Sequence, residues 1–363
     1  MQKIKVITLF SGIGSQEMAL RNLGIDYEVI GISEIDKFAI KSYEAIHGKV
    51  HNFGDISKIE ELPYCDLLTY SFPCTDLSVA GQQKGISKDT RSGLLLEVER
   101  LLLKAKENGT LPKYLLLENV KNLVGKKFIK DFERWLSFLN SLGYYSNWEV
   151  LNAKDYGIPQ NRERVFVISS LDNIHYVFPK KQELKIKMKD MLEENVPEKY
   201  YLTEKFIKCM SDMTNRNGFV RGERFNPRKL EDCDTAFAIT TRAGYRSTDN
   251  FIIQKSHGFN KGGIKENIVP TMTSSSWQEN NFLKEENGIR KLTPLETWRL
   301  MGFSDNDYYA AKSVGTSNAQ LYKQAGNSIV VTVLEAIFRQ LFLKKHKKKQ
   351  SIIAEQMPTI SRS

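Results

Sequence analysis

Cys74 follows a proline in Ser71-Phe72-Pro73-Cys74-Thr75-Asp76-Leu77-Ser78, just past the strand-like run Leu67–Ser71. A thiol there can act as a nucleophile, because α/β sheets expose their reactive groups at the carboxyl ends of strands. A lone cysteine is otherwise commonly a small buried hydrophobe. The fixed backbone at Pro73 and a following loop with Gly81, Gly85 and Gly93 as hinges point to chemistry instead. Glu118 ends a second apolar run, Leu115-Leu116-Leu117-Glu118-Asn119-Val120. Partial burial would raise its pKa toward a value suited to proton donation; the other reading is a helix-capping or ion-paired glutamate. Arg162 and Arg164 stand two apart in Gln160-Asn161-Arg162-Glu163-Arg164-Val165-Phe166, entering a strand. Alternation directs both to one face, within reach of a carbonyl, carboxylate or phosphate, unless they form a surface ladder with Glu163.

A second constellation opens the chain. The run Ile4–Leu9 leads into Phe10-Ser11-Gly12-Ile13-Gly14-Ser15, where glycines let backbone N–H groups approach a ligand at a helix N-terminus. Glu34 ends the next run, where a carboxylate can accept from ribose hydroxyls, and Asp55 in Gly54-Asp55-Ile56 is suited to an adenine amino group. A Gly-x-Gly alone also occurs in simple tight turns. The dinucleotide fingerprint needs a third glycine where this chain has Glu17. That departure favours S-adenosyl-L-methionine, which has no phosphates to cradle, over a dinucleotide.

These residues need a scaffold, and the first 170 residues supply its pattern. Strands are expected at Ile4–Leu9, Tyr27–Ile32, Leu67–Ser71, Tyr114–Leu117 and Val165–Ser169, with helices at Ser15–Leu23, Lys37–His47, Leu94–Glu107 and Phe128–Leu142. Such alternation predicts an α/β fold, a mostly parallel Rossmann-like sheet covered on both faces. Residues 173–289 break the pattern and read as a smaller, strand-rich domain. Helical periodicity returns at Thr293–Met301 and Ile329–Phe342 in a return segment, 290–343, before a basic tail, 344–363.

The 41% hydrophobic and 26% charged content is that of an ordinary globular protein. No run approaches the roughly 18 apolar residues of a membrane span, and Met1 leads straight into a strand, so a cytoplasmic protein is expected. The four cysteines and five histidines show neither disulfide nor metal-ligand spacing, so no metal is expected. Residues 173–230 hold 13 basic and 8 acidic side chains, and 339–363 hold 7 and 1, which accounts for the whole net charge of +10. Local basicity of this kind suits a polyanion, although a solvated lysine-rich surface gives the same count.

Together these stretches resemble a cytosine-C5 DNA methyltransferase of the bacterial or phage type. LFSGIGSQEMAL, Glu34, Gly54-Asp55-Ile56, SFPCTDLSVAGQQKG, LLLENVKNL, QNRERVFVI, RKLTPLETWRLMGF and QAGNSIVVTVLEAIF occur in the family's order over roughly two thirds of the chain. The resemblance implies an S-adenosylmethionine-dependent sheet with a target-recognition domain at 173–289. It makes Cys74 the nucleophile, Glu118 the contact to N3 of the base, Arg164 the contact to the cytosine carbonyl and Arg162 a support. Phe10, Ser11, Gly12, Gly14, Glu34, Ile35, Asp55, Ile56, Pro73, Asn327 and Ser328 are the implied cofactor contacts. Ser15 stands where the family loop commonly has another glycine, and Ile35 where an aromatic residue is frequent; both bear on cofactor affinity.

The implied partner is double-stranded DNA, with a separately encoded restriction endonuclease if the chain belongs to a restriction–modification pair. A monomer is expected. Gln82, Arg216, Arg221, Arg224, Arg242, Arg246 and Gln278 are the expected DNA contacts, on arginine- and glycine-rich stretches and on two look-alike segments, 238–252 and 270–283. Those segments suggest two strand–loop–strand units packed through Phe251 and Phe282, or two hairpins that only support the fold. The rival substrate is cytosine in transfer RNA. A nicotinamide oxidoreductase is a further rival, but it leaves Pro73-Cys74 and Glu118 without a role.

Overall fold

The computed structural model describes residues 3–73, 91–172, 175–203, 251–254, 263–266, 269–270, 282–285 and 288–344. Cys74, Gln82, Arg216, Arg221, Arg224, Arg242, Arg246 and Gln278 lie outside the described residues, as does the tail beyond residue 344.

Strands β1 (Ile4–Leu9), β2 (Tyr27–Ser33), β3 (Leu67–Tyr70) and β4 (Tyr114–Val120) run parallel, β1 and β3 side by side. Strands β5 (Tyr145–Asn152) and β7 (Glu163–Ser170) complete the sheet antiparallel, in the order β2-β1-β3-β4-β7-β5, with the short β6 (Gln160–Asn161) ahead of β7. The sheet is buried on both sides, so its strands are near-continuous apolar runs and successive residues serve opposite cores. Val6, Leu67, Leu116, Phe166 and Ile168 face one core; Ile7, Leu9, Leu68, Tyr70, Leu115, Leu117, Val165 and Val167 face the other.

Helix α1 (Ser15–Asn22) follows β1 and α2 (Lys37–His47) follows β2, starting at an Asp36 cap that accepts from the Phe38 and Ala39 amides. Helices α3 (Leu95–Glu107) and α4 (Ile129–Ser141) cover the opposite face, burying Val98, Leu101, Leu102, Phe132, Trp135 and Leu139 at helical spacing. After β1 the chain steps to β2 on one side and then returns to β3 on the other. The carboxyl ends of β1 and β3 therefore open a crevice at a topological switch point.

The segment from Pro294 to Leu343 returns to this domain. Helices α5 (Pro294–Arg299), α6 (Asp305–Ser313), α7 (Asn318–Asn327) and α8 (Val331–Phe338) form the layer beside α1. Thr293 and Glu296 make a capping box with Pro294 in the first turn of α5, the arrangement that starts a helix most firmly. Arg290 and Glu296 pair through two hydrogen bonds of 2.8 and 2.9 Å with both side chains fully buried. Taken as one run, Asn318–Leu343 is long and apolar enough to cross a membrane. The break between α7 and α8 and the burial of Leu321, Val331, Leu334, Ile337 and Phe338 make it core of this domain.

Strands β8 (Phe251–Gln254), β9 (Gly263–Glu266), β11 (Phe282–Glu285) and β12 (Gly288–Lys291) form a separate antiparallel sheet, ordered β12-β11-β8-β9. The two look-alike finishes are thus neighbours, with Phe282 opposite Ile253 and Phe251 opposite Lys284. The start of the second segment is not part of that sheet. Strand β10 (Val269–Pro270) pairs in parallel with β6, and the polar middles of both segments lie outside the described residues.

The expected bounds of β1 and α2 are those observed, and the other expected elements of the first 170 residues shift by one to three residues. Among the longer elements of the main domain, β5, α6 and α7 escaped the sequence. Strand β5 is half exposed and lacks clean alternation, while α6 and α7 carry mixed polar faces whose burial comes from neighbouring helices. The expected helix Ile329–Phe342 is shorter, ending at Phe338 in a π turn over Arg339–Leu343.

Candidate functional site

The crevice holds a pocket of about 410 Å³, room for a nucleoside-sized ligand. Its lining comes from five strand ends: Phe10, Ser11 and Gly12 after β1, Glu34 and Ile35 after β2, Ser71 and Pro73 after β3, Glu118 at the end of β4, and Arg162 and Arg164 at the start of β7. Asp55 and Ile56 add one wall, and Asn327 and Ser328 close it from the C-terminal helices. Of the expected cofactor contacts only Gly14 is absent from the lining. Its missing side chain faces away, toward His47 and Tyr43.

The loop after β1 is strained. Phe10 has φ +56°, the one positive φ at a non-glycine among the described residues, and such a conformation costs a bulky residue of order 1–3 kcal/mol. Gly12 follows at φ +56°, its missing side chain looking onto open space. Its amide donates to Glu34 Oε2 at 2.8 Å, and the Ile35 and Asp36 amides donate to Glu34 Oε1, each at 2.8 Å. Glu34 thus ties the turns after β1 and β2 together, and about one of a carboxylate's four acceptor sites stays open to a ligand. Asp55 accepts from the amide and hydroxyl of Ser57, which hold its carboxyl below the usual range, so it is an acceptor toward the pocket.

These donors and acceptors fit S-adenosyl-L-methionine. Carboxylates suit ribose hydroxyls and an adenine amino group, and the 74% exposure of Ile35 leaves an apolar face free for a base. The open cradle over Gly12 admits close approach of a ligand, and the buried Ser11 hydroxyl has no hydrogen-bond partner among the described residues.

At the other end of the pocket Glu118 is 5% exposed. Its Oε2 accepts from the Ser71 hydroxyl at 2.6 Å, and its Oε1 lies 3.4 Å from Nε of Arg164. The antiparallel register opposes Val120 to Arg164 and Glu118 to Phe166, so Glu118 and Arg164 are diagonal neighbours on one face. Glu118 is therefore buried and ion-paired, the second of the two readings its sequence context allowed. Arg162 is 4% exposed and donates to the carbonyls of Gly326 and Ser328. The ladder with Glu163 does not form: Glu163 pairs with Lys121 at 3.0 Å.

Other side chains here carried no individual sequence signal. Buried Asn119 donates to the Phe72 carbonyl at 3.1 Å, fixing the backbone two residues before Cys74. Asn152 accepts from the Arg162 amide at 3.1 Å. Lys323 pairs with Asp36 at 2.6 Å, and Gln324 donates to the Phe38 carbonyl and Ser42 hydroxyl, docking α7 against the first turns of α2. Asn119 sits inside the quoted ENV run; the other pairings join segments too far apart in sequence for spacing to signal them. Among the described residues no group of three or more metal-ligating side chains gathers.

Comparison with known proteins gives the family and the fold. The family model described as C-5 cytosine-specific DNA methylase matches residues 4–343. The type II methyltransferase M2.ScrFI of Lactococcus lactis subsp. cremoris is 36% identical, covering 93% of this chain and 99% of its own. The orphan methyltransferase M.SPBetaI of Bacillus phage SPbeta is 35% identical, covering 94% and 98%. Among solved structures, the Entamoeba histolytica methyltransferase EhMeth superposes with a TM-score of 0.67 at 19% identity, over 95% of this chain and 100% of that one. The S. pombe Dnmt2 methyltransferase superposes with a TM-score of 0.65 at 20% identity, over 93% and 98%. At such identities these two likenesses speak to the fold.

Proposed function

The chain belongs to the C-5 cytosine-specific DNA methylase family, and from that premise we propose that it methylates C5 of a cytosine flipped out of a specific duplex DNA site. One observation carries the reading. Gly12, Glu34 and Asp55, suited to S-adenosyl-L-methionine, share a single pocket with Glu118, Arg164 and Pro73, the residue before Cys74.

Cytosine C5 is a poor nucleophile, so the ring must first be activated by addition at C6. In the proposed reaction the Cys74 thiolate forms a bond to C6 while Glu118 engages N3 and stabilises the electron-rich ring. Arg164, 3.4 Å from Glu118, is the donor we assign to the cytosine carbonyl. Arg162 holds the Gly326–Ser328 backbone against the pocket. When bound, S-adenosyl-L-methionine supplies an electrophilic methyl group on its sulfonium. Once C5 carries the methyl group, its proton passes to a base or water. The Cys74–C6 bond breaks toward sulfur and the aromatic ring is restored, so the protein ends unchanged with Cys74 as thiolate. Because C6 is stacked inside a duplex, the base must leave the stack first. Residues 173–289 serve as the target-recognition region, with Arg216, Arg221, Arg224, Arg242, Arg246 and Gln278 as DNA contacts beside Gln82.

The test is transfer of a labelled methyl group from S-adenosylmethionine to duplex DNA and, in parallel, to transfer RNA. Label recovered as 5-methylcytosine in DNA supports the reading. Label confined to transfer RNA replaces the substrate, and label in neither refutes it.

A further inference from the structure

Behind the glycine loop lies a group of polar side chains that the proposed reaction does not use. Glu17, in the first turn of α1, is fully buried and accepts from the Thr8 hydroxyl of β1 at 2.7 Å. Burial, and the Glu17 carboxylate near it, hold the phenol of buried Tyr43 above its ordinary pKa. His47, in the last turn of α2, brings Nε2 within 3.1 Å of the Ile13 carbonyl, and its ring lies 4.7 Å from that of Tyr43. Burial holds the imidazole below its ordinary pKa, with Glu17, the Ile13 carbonyl and Asp307 acting in the opposite direction and Arg21 reinforcing it. The ring is accordingly neutral near pH 7, and a contact to a carbonyl requires the proton on Nε2.

Gly14 explains what this wall does. A Cβ at that position would fall 2.4 Å from His47 Nε2 and 2.8 Å from a Tyr43 ring carbon, and its φ of +80° is left-handed. The second glycine of the loop is therefore required by side chains behind it, while Gly12 faces the pocket. Ile13, whose carbonyl meets His47, and Ser15 both line the pocket, so the contact acts one residue from the ligand surface on each side of Gly14.

We propose that His47 is a positioning residue for the cofactor, holding the Gly12–Gly14 turn in its binding conformation by donating to the Ile13 carbonyl and packing against Gly14. It touches no reacting atom. The role rests on the reading of this pocket as an S-adenosylmethionine site, and it places the determinant of affinity outside the lining. The contact forms in the folded loop with no DNA present. Its loss should therefore appear in cofactor affinity and leave the chemical step alone.

The experiment measures binding of S-adenosylhomocysteine to the full chain by calorimetry at pH 7.5, for wild type, His47→Leu and His47→Gln. His47→Leu keeps apolar bulk and removes the donor; its Kd should rise about tenfold, the size expected for one hydrogen bond. His47→Gln, which retains a donor, should recover most of that loss. With labelled S-adenosylmethionine, KM should rise in His47→Leu while kcat at saturation stays within twofold of wild type. Thermal melts of each variant separate affinity from folding. A His47→Leu protein that binds as wild type does, or one whose Kd rises only as far as its unfolded fraction accounts for, overturns the proposal. Equal losses in the Leu and Gln variants also overturn it, since the donor would then be irrelevant. A wild type that does not bind S-adenosylhomocysteine would instead remove the cofactor reading on which the proposal rests.

Discussion

Arg162 Nη2 donates to the carbonyls of Gly326 and Ser328, at 3.2 and 2.9 Å, across 164 and 166 residues of chain. The contact joins the start of β7 to the turn between α7 and α8, and both segments line the pocket. A buried guanidinium at this position works as a clasp on backbone, which fits the supporting role proposed for it.

Replacing Arg162 with Ala leaves those carbonyls without this donor inside the fold. Each unsatisfied buried group costs about 1–3 kcal/mol, so urea unfolding should shift to lower midpoints by an amount of that order. S-adenosylhomocysteine affinity should fall as well, because Ser328 lines the pocket. Unchanged affinity in a folded Arg162→Ala protein would confine the clasp to stability.

Glu118→Gln keeps shape and a hydrogen-bonding group while removing the ionisable carboxyl. Single-turnover methylation should slow by about 10²–10⁴, with little change in DNA affinity. Stability losses equal to the rate loss would mark Glu118 as structural, a partner for Ser71 and Arg164 and nothing more.

Cys74→Ala should abolish turnover and leave cofactor binding nearly intact, since the thiol is needed only for covalent addition. Wild type should be trapped covalently on DNA containing 5-fluorocytosine, because fluorine cannot leave as a proton. Denaturing electrophoresis reads both results, and turnover above a few per cent in the Ala variant refutes the mechanism.

The Arg290–Glu296 pair has no exposure on either side chain, and Glu296 also accepts from the Thr293 and Glu193 amides. Removing one partner strands a buried charge. Glu296→Ala should cost about 3–5 kcal/mol in urea unfolding, whereas an exposed pair such as Lys104–Glu107 should matter by less than about 1 kcal/mol.

His47 also predicts a pH dependence. Burial lowers its folded pKa below the ordinary 6.5, so the unfolded chain takes up the proton first as pH falls. The stability linked to neutral His47 is complete above that ordinary value. It declines as pH drops from there through the folded pKa, and no further loss follows below it. His47→Gln does not titrate, so its urea midpoint should change less between pH 7.5 and pH 5 than that of wild type. Parallel curves would assign the titration to another group.

Local physics made much of this protein legible. The bounds of α2 follow from an Asp cap, an apolar stripe and a closing glycine, all between Asp36 and Gly48. The bounds of β1 follow from a short β-branched run, and the pocket's chemistry from residue types at the ends of such runs. Glu118, Arg162, Arg164 and Glu34 could be singled out because strand ends are where a sheet exposes polar groups. Partners were a different matter. That Glu118 meets Arg164 depends on the antiparallel register of β4 and β7, and one residue of slip would send those side chains to opposite faces. That Gly14 answers to His47 while Gly12 opens onto the pocket depends on how α2 packs behind the loop, which the Gly-x-Gly spacing does not encode. The pairing of Lys323 with Asp36, and of Arg162 with Ser328, needs the C-terminal helices folded back over the sheet. Spacing along the chain encodes periodicity within an element; contacts between elements are set by packing of the whole core, and only the tertiary structure decides them.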